Sequence, residues 1–366
     1  MPDLPVHAIE RAIATIPVAG LDADLEGLGA RIEVAAEGAG AASVRVILGF
    51  PVRGLREALG SAIEAAVRGA CQATRVAVSI EAAIVAHAPQ GTLSPLPNVR
   101  NVIAVASGKG GVGKSTTAVN LALALVAEGA RVGILDADVH GPSQPLMLGL
   151  SGQKPESRDG KTFEPLVAHG LEAISIGFLV DQAAPVIWRG PMVTQAISQL
   201  AFQTAWHDLD YLLVDLPPGT GDAQLTLSQK VPLAGVVIVT TPQQLATEVA
   251  MRGLRMFEKV GAPVLGIIEN MSSFICPGCG HEDALFGTGG GEQLAAACGV
   301  PLLGKVPLNS AIRAQTDAGR PPLVAEPQGP VARRYREIAL RMAAGLARRP
   351  LPRSYKFFKN ATRDEQ

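Results

Sequence analysis

The sequence predicts an α/β fold: a mostly parallel sheet with helices on both faces, plus a small N-terminal α/β domain. Two observations carry the large sheet. The runs 101–107, 131–138, 211–217, 235–242, 263–271 and 301–307 are continuously apolar, with helical stretches between them. Strands that alternate apolar and polar residues have one wet face; uninterrupted apolar runs suit parallel strands covered on both sides. The third observation is local. Gly108-Lys109-Gly110-Gly111-Val112-Gly113-Lys114-Ser115 fits G-x-x-x-x-G-K-[ST], between a predicted strand and a predicted helix at 116–128.

The small domain is expected over residues 1–85. Residues 6–15 read as a helix, with Ile9, Ile13 and Ile16 at helical spacing. Strand-like runs follow at 30–36 and 43–50, then an amphipathic stretch at 54–68 with Leu55, Leu59, Ile63 and Val67 every fourth residue, then a strand at 75–85. The order is α-β-β-α-β. Residues 86–100, rich in Pro, Ser, Gly and Asn, read as a linker, 101–348 as the large domain, and 349–366 as a mobile tail.

Composition narrows the function. Lys+Arg is 32 and Asp+Glu 33, a net charge of -1, so no broad basic surface for nucleic acid is expected. Hydrophobic residues are 48% and charged residues 18%, which excludes a largely disordered chain. No uncharged apolar run reaches the ~18 residues of a membrane span, and the first residues lack the basic and apolar regions of a signal peptide. Four cysteines, Cys71, Cys276, Cys279 and Cys298, are too few for a disulfide scaffold in 366 residues. A cytoplasmic location without membrane or nucleic-acid partners is the expectation.

The loop at 108–115 has a specific chemistry. Its glycines let backbone N–H groups point at phosphate oxygens, and the following helix adds positive partial charge at its N-terminus. Lys114 is expected to reach the β- and γ-phosphates, and the Ser115 hydroxyl to bind Mg²⁺. Carboxylates stand where open α/β sheets bind ligands, at the C-terminal ends of strands: Asp136 and Asp138 after one run, Asp215 and Asp222 around another. Asp215 closes an apolar run as a Walker B aspartate does, and is expected in the magnesium shell. Pro217-Pro218-Gly219 makes a corner suited to a switch that senses the γ-phosphate. Asp222 reads as a helix cap.

Cys276-Pro277-Gly278-Cys279-Gly280-His281 offers two thiolates two residues apart. Zinc or a four-iron cluster wants four ligands, so the pair needs completion. His281 and Cys298 could finish an intrachain zinc site, the pair could form a redox disulfide, or a second copy could bring two more thiolates. Cys71 and Cys298 read as buried structural residues.

Lys109, near the front of GKGGVGKST, resembles the deviant Walker A ATPases, which include the nitrogenase iron protein and the Min/Par partitioning ATPases. That resemblance implies a lysine reaching across a dimer to the partner's nucleotide. VGILDADVHGPSQPLMLG, WRGPMV, DYLLVDLPPGTGDAQLTLSQ, GIIENMSSFICPGCGH and FGTGGGEQLA, with the phosphate loop, extend the likeness over about 98–345 to the Mrp/ApbC-type iron–sulfur cluster carrier ATPases. The N-terminal unit is similar to the small accessory domain of iron–sulfur assembly proteins. The resemblance implies an ATP-binding and ATP-hydrolysing carrier. It places the bound nucleotide on residues 108–116, including Thr116, with Lys109, Lys114, Asp138 and Asp215 catalytic and Asp138 positioning the attacking water. Asp136 lies nearer the metal, and Asn270 and Pro307 hold the adenine. A homodimer sharing Cys276 and Cys279 would bridge a labile [4Fe–4S] cluster, passed between assembly scaffolds and apo iron–sulfur proteins. The chain departs from the family at Val139-His140, where Ile-Tyr is common, and at 249–252, where a carboxylate is missing. His140 reads as a loop residue near the switch, and Trp188 and Arg189 as packing or contact residues. Other functions fit parts of the sequence: a Min/Par-like positioning ATPase, with the basic helix 331–348 on membrane or DNA; a nucleotide-gated electron carrier; or a zinc-stabilised ATPase scaffold.

Overall fold

The computed structural model describes residues 5–36, 41–71, 74–139, 141–157, 159–179, 190–276 and 278–351. In chain order the N-terminal elements are α1 (Val6–Ala14), β1 (Pro17–Val18), β2 (Ala23–Asp24), β3 (Arg31–Ala36), β4 (Ala41–Leu48), α2 (Arg56–Ala70) and β5 (Arg75–Ala82). β3 and β4 run antiparallel, and β4 and β5 parallel, with α2 as the crossover. The expected stripe on α2 is the one that is buried: Leu59, Ile63 and Val67. Ile9 and Ile13 of α1 join it.

The larger part comprises β6 (Val99–Ser107), α3 (Lys114–Ala127), β7 (Val132–Asp136), α4 (Gln144–Met147), β8 (Leu166–Ala168), β9 (Leu171–Ser175), α5 (Gly190–Gln203), β10 (Leu209–Asp215), α6 (Asp222–Lys230), β11 (Gly235–Thr240), α7 (Gln244–Lys259), β12 (Val264–Ile275), β13 (Glu282–Asp283), α8 (Gly290–Cys298), β14 (Leu302–Leu308), α9 (Ser310–Asp317), α10 (Pro322–Ala325) and α11 (Pro330–Ala347). Strand order is β13-β12-β11-β6-β10-β7-β9-β8, with β14 also on β12. All pairings are parallel except β8 with β9 and β13 with β12. β6, β10 and β11 are buried almost throughout, because helices cover both faces, as their unbroken apolar runs require.

The structure departs from the sequence reading in four places. The strand expected at 131–138 ends at Asp136, so Asp138 lies beyond it. β12 does not stop at residue 271; pairing of Phe274 with both β13 and β14 carries it to Ile275. β8 and β9 form a hairpin absent from the sequence reading. The basic helix near the C-terminus buries Ala332, Tyr335, Ile338, Ala339 and Met342, among others, so its apolar face is already spent on the core.

Residues 86–98, expected as a linker, hold no helix or strand and are pinned. Gln90 is buried; its Nε2 donates to the carbonyls of Ser228 and Val231, and its Oε1 accepts from Leu233 N–H. Further ties join the small sheet's surroundings to the large part: Gly54 N–H donates to Glu128 Oε2 at 2.7 Å, and Arg341 meets Asp22 at 3.1 Å. Among the described residues no helix is long and apolar enough to cross a membrane.

Candidate functional site: a phosphate loop and a thiol hairpin

β6 delivers the chain to Gly108, and α3 starts at Lys114. Two glycines of the loop have reasons to be glycine. A Cβ on Gly108 would lie 2.5 Å from the carbonyl carbon of Val249, so the loop rests directly on α7. Gly113 has φ +79, and a Cβ there would lie 2.2 Å from Asn270 Nδ2. An L-residue in that conformation costs about 1–2 kcal/mol before any clash. Gly113→Ala is therefore expected to weaken ADP binding at least roughly tenfold, because it strains the turn and displaces Asn270. Isothermal titration would show it; unchanged affinity would contradict the packing.

Four predicted residues converge behind the loop. Asp215 is wholly buried at the end of β10 and pairs closely with Lys114 Nζ. The same ammonium donates to Ser115 Oγ at 3.1 Å and lies 3.8 Å from Asp138 Oδ2. Gln144 Nε2 donates to Asp215 Oδ2 at 3.0 Å and to the Ser115 carbonyl at 3.2 Å. Asp136 is not aimed at the lysine. Its carboxylate accepts from the N–H groups of Asp138, Ser143 and Gln144 and from Ser175 Oγ, tying down the segment after β7. Burial, then the neighbouring Asp215 charge, push Asp136 up to about 7, while the Gln144 N–H, the Lys114 charge and the Ser175 hydroxyl pull it back. Oxygen donors from Ser115 and Asp215 side by side fit Mg²⁺, a hard cation that prefers such ligands.

Lys109 is held on its own chain here. Its Nζ donates to Gln243 Oε1 at 3.1 Å, at the residue preceding α7, and its carbonyl accepts from Ser107 Oγ. Asn270, at the middle of β12, donates through Nδ2 to the Val112 carbonyl at 2.8 Å. Beside it lies a cavity of about 150 Å³ lined by residues including Gly113, Thr116, Pro307 and Tyr335. The loop, Asn270 and Pro307 are thus brought together around one cavity.

The cysteines sit apart from this cluster, at the end of β12. Cys276 N–H donates to the His281 carbonyl and Gly280 N–H to the Cys276 carbonyl, closing a tight hairpin. The Cys279 and Gly278 N–H groups, with the Cys279 thiol, hold Cys276 below the ordinary thiol range. N–H donors aimed at sulfur favour the thiolate, the form that binds metal. Cys279 is exposed. Ile275 and Leu285, either side of the hairpin, are 51% and 53% exposed. Cys298 ends α8, and burial pushes its thiol up, against a ligand role. Among the described residues no three His, Cys, Asp or Glu side chains converge on one point. His281 contributes its backbone carbonyl to the hairpin.

The model of the ParA group described as NUBPL iron-transfer P-loop NTPase matches residues 98–343. The chain belongs to the NUBPL iron-transfer P-loop NTPase family. It is 57% identical over 270 residues to an iron-sulfur cluster carrier protein of Pseudomonas fragi, covering 74% of this chain and 94% of that one. It is 55% identical over 248 residues to the iron-sulfur cluster carrier protein of Escherichia coli K12, covering 68% of this chain and 67% of the relative. Among solved structures it is similar to a nucleotide-binding protein of Archaeoglobus fulgidus in complex with ADP. There the identity is 40%, the TM-score 0.56, and coverage 63% of this chain and 90% of that one.

For this NUBPL-type NTPase, sequence reasoning missed Gln144, Ser175 and Gln243. Each is an ordinary polar residue whose role appears only when distant strands meet. Cys71 and Cys298 are half-buried rather than buried as expected, and the Cys71 thiol donates to the Val67 carbonyl. Asp222 is the first residue of α6 rather than its cap, the N-cap position being Gly221. His140, Trp188 and Arg189 lie outside the described residues.

Proposed function

We propose that the chain is an ATP-dependent iron–sulfur cluster carrier working as a homodimer. The observation that carries the reading is the coexistence of two prepared sites: a phosphate loop with its lysine and aspartates close together, and a cysteine pair in which N–H donors favour the thiolate of Cys276. The names of the relatives support the cargo.

Residues 108–116 hold the phosphates of ATP, with Asn270 and Pro307 at the base. Ser115 and Asp215 hold Mg²⁺, which draws charge off the transferring phosphoryl group. With Asp215 turned toward the metal it would help to hold, Lys114 would reach the β- and γ-phosphates. Asp138 positions the attacking water, and Asp136 holds the backbone that carries Asp138. Lys109 leaves Gln243 and crosses to the nucleotide of the second copy, where a further cation stabilises the developing charge. Cys276 and Cys279 of each copy together supply four thiolates, the number a [4Fe–4S] cluster takes. The exposed Ile275 and Leu285 are covered when the copies meet. In this reading β12 carries Asn270 and runs on directly into Cys276, so one element links nucleotide and cargo. The cluster comes from assembly scaffolds and goes to apo iron–sulfur proteins in the cytoplasm, with neither membrane nor nucleic acid as partner. In this reading residues 1–85 form an accessory domain, 86–100 its tether, 101–348 the ATPase domain and 349–366 a tail.

Anaerobic reconstitution with iron and sulfide tests the proposal. The expected product is a dimer with one four-iron cluster, which it loses to an apo-ferredoxin. A chain that stays monomeric when loaded, or binds about one zinc and no iron, would defeat it. A cluster retained while only electrons move would favour the reductase. Lys109→Ala is expected to leave ADP affinity within about twofold, while ATP turnover falls roughly 10²-fold or more. Titration beside a phosphate-release assay separates the two; equal loss in both would place Lys109 in its own chain's site.

A further inference from the structure

The hydroxyl of Thr316 has no place in the account so far. Thr316 lies on α9, is 2% exposed, and lines the cavity beside Asn270. Among the described residues its Oγ1 has no hydrogen-bond partner. A threonine in a helix ordinarily turns its hydroxyl to the carbonyl one turn back. Thr316 does not, and a buried hydroxyl left unpaired costs stability that a valine of the same shape would not.

The cavity explains what such a group is for. It opens at Gly113 and Thr116, where the phosphate loop becomes helix, and Pro307, Leu308, Ile312 and Tyr335 contribute apolar walls. Three of its other polar residues are engaged within the chain. Arg313 pairs with Asp317 at 3.2 Å, Asn309 Oδ1 accepts from Ala311 N–H, and Asn270 Nδ2 is on Val112. A planar ring carried in by a diphosphate would find flat apolar surfaces and one unspent buried hydroxyl.

We propose that Thr316 binds the nucleotide base, its Oγ1–H donating to a ring nitrogen of adenine. This rests on the nucleotide reading above and adds to it a residue that holds the base rather than the phosphates. A hydroxyl donates well to an aromatic nitrogen acceptor, and the bond forms only when the ligand is present.

The test compares Thr316→Val and Thr316→Ser with the unaltered chain, using ADP and ribose 5-diphosphate, which lacks the base. Thr316→Val is expected to melt higher than the unaltered chain without nucleotide, because the unpaired hydroxyl is gone. Its ADP affinity is expected to fall roughly 5- to 20-fold, with ribose 5-diphosphate unchanged. Thr316→Ser is expected to keep the ADP affinity. If Thr316→Val binds ADP normally, or loses both ligands equally, the proposal is wrong. If the unaltered chain binds ribose 5-diphosphate as well as ADP, the cavity does not hold the base. If it binds neither, the nucleotide reading itself fails and takes this one with it.

Discussion

Lys114→Ala is expected to reduce ATP turnover by about 10²–10³-fold, the scale for losing one charged donor at a reacting centre. ADP affinity should fall with it. The structure adds a second effect. Lys114 is the cation that faces Asp215 directly and lies within 3.8 Å of Asp138. Without it, Asp215 stays fully buried with Gln144 Nε2 as its remaining side-chain donor. Removing one member of a buried pair costs about 3–5 kcal/mol, so the nucleotide-free alanine variant should melt well below the unaltered chain. Lys114→Arg separates the effects. It keeps the charge and most of the stability, but a planar guanidinium cannot replace a point charge at the phosphates. Turnover should stay lost while melting recovers. An arginine variant that hydrolyses ATP normally would refute the assigned role.

Cys276→Ser should abolish cluster uptake: iron per dimer falls from about four to near zero, while ADP binding is unchanged. Serine keeps the size and the hairpin but not the soft, easily ionised ligand. Cys279→Ser should match it, since both thiols are needed from each copy. Cys71→Ser and Cys298→Ser should load normally, because the first thiol donates to a helix carbonyl and the second is raised by burial. Iron and sulfide analysis under anaerobic conditions decides. Full loading of Cys276→Ser would end the shared-thiolate model, whatever the nucleotide does.

Much of this was legible because some residues permit few alternatives. The glycines of 108–113 and Lys114 announce the phosphate loop, and apolar runs on both sides of it announce the parallel sheet. Asp215 could be placed because it ends such a run. Other parts carried no local mark. β8 and β9 are short, and β8 is only half-buried, so their hairpin is set by the edge of β7 rather than by their own pattern. The polar Ser272-Ser273 gave no reason to extend β12, which β13 and β14 hold in place from either side. Gln144 is one glutamine among several until β7 and β10 put Asp136 and Asp215 on adjacent strands, in register. The hydroxyl of Thr316 becomes conspicuous only when its missing partner is noticed.

The contact beneath Gly108 has a mechanical consequence. With no clearance above Val249, α7 acts as an anvil under the phosphate loop. In the proposed cycle the loop has no room to recoil toward α7 when a third phosphate arrives or departs. Motion is then expected in the segments that follow β7 and β10, residues 137–139, 141–147 and 216–221, with α7 as the fixed floor.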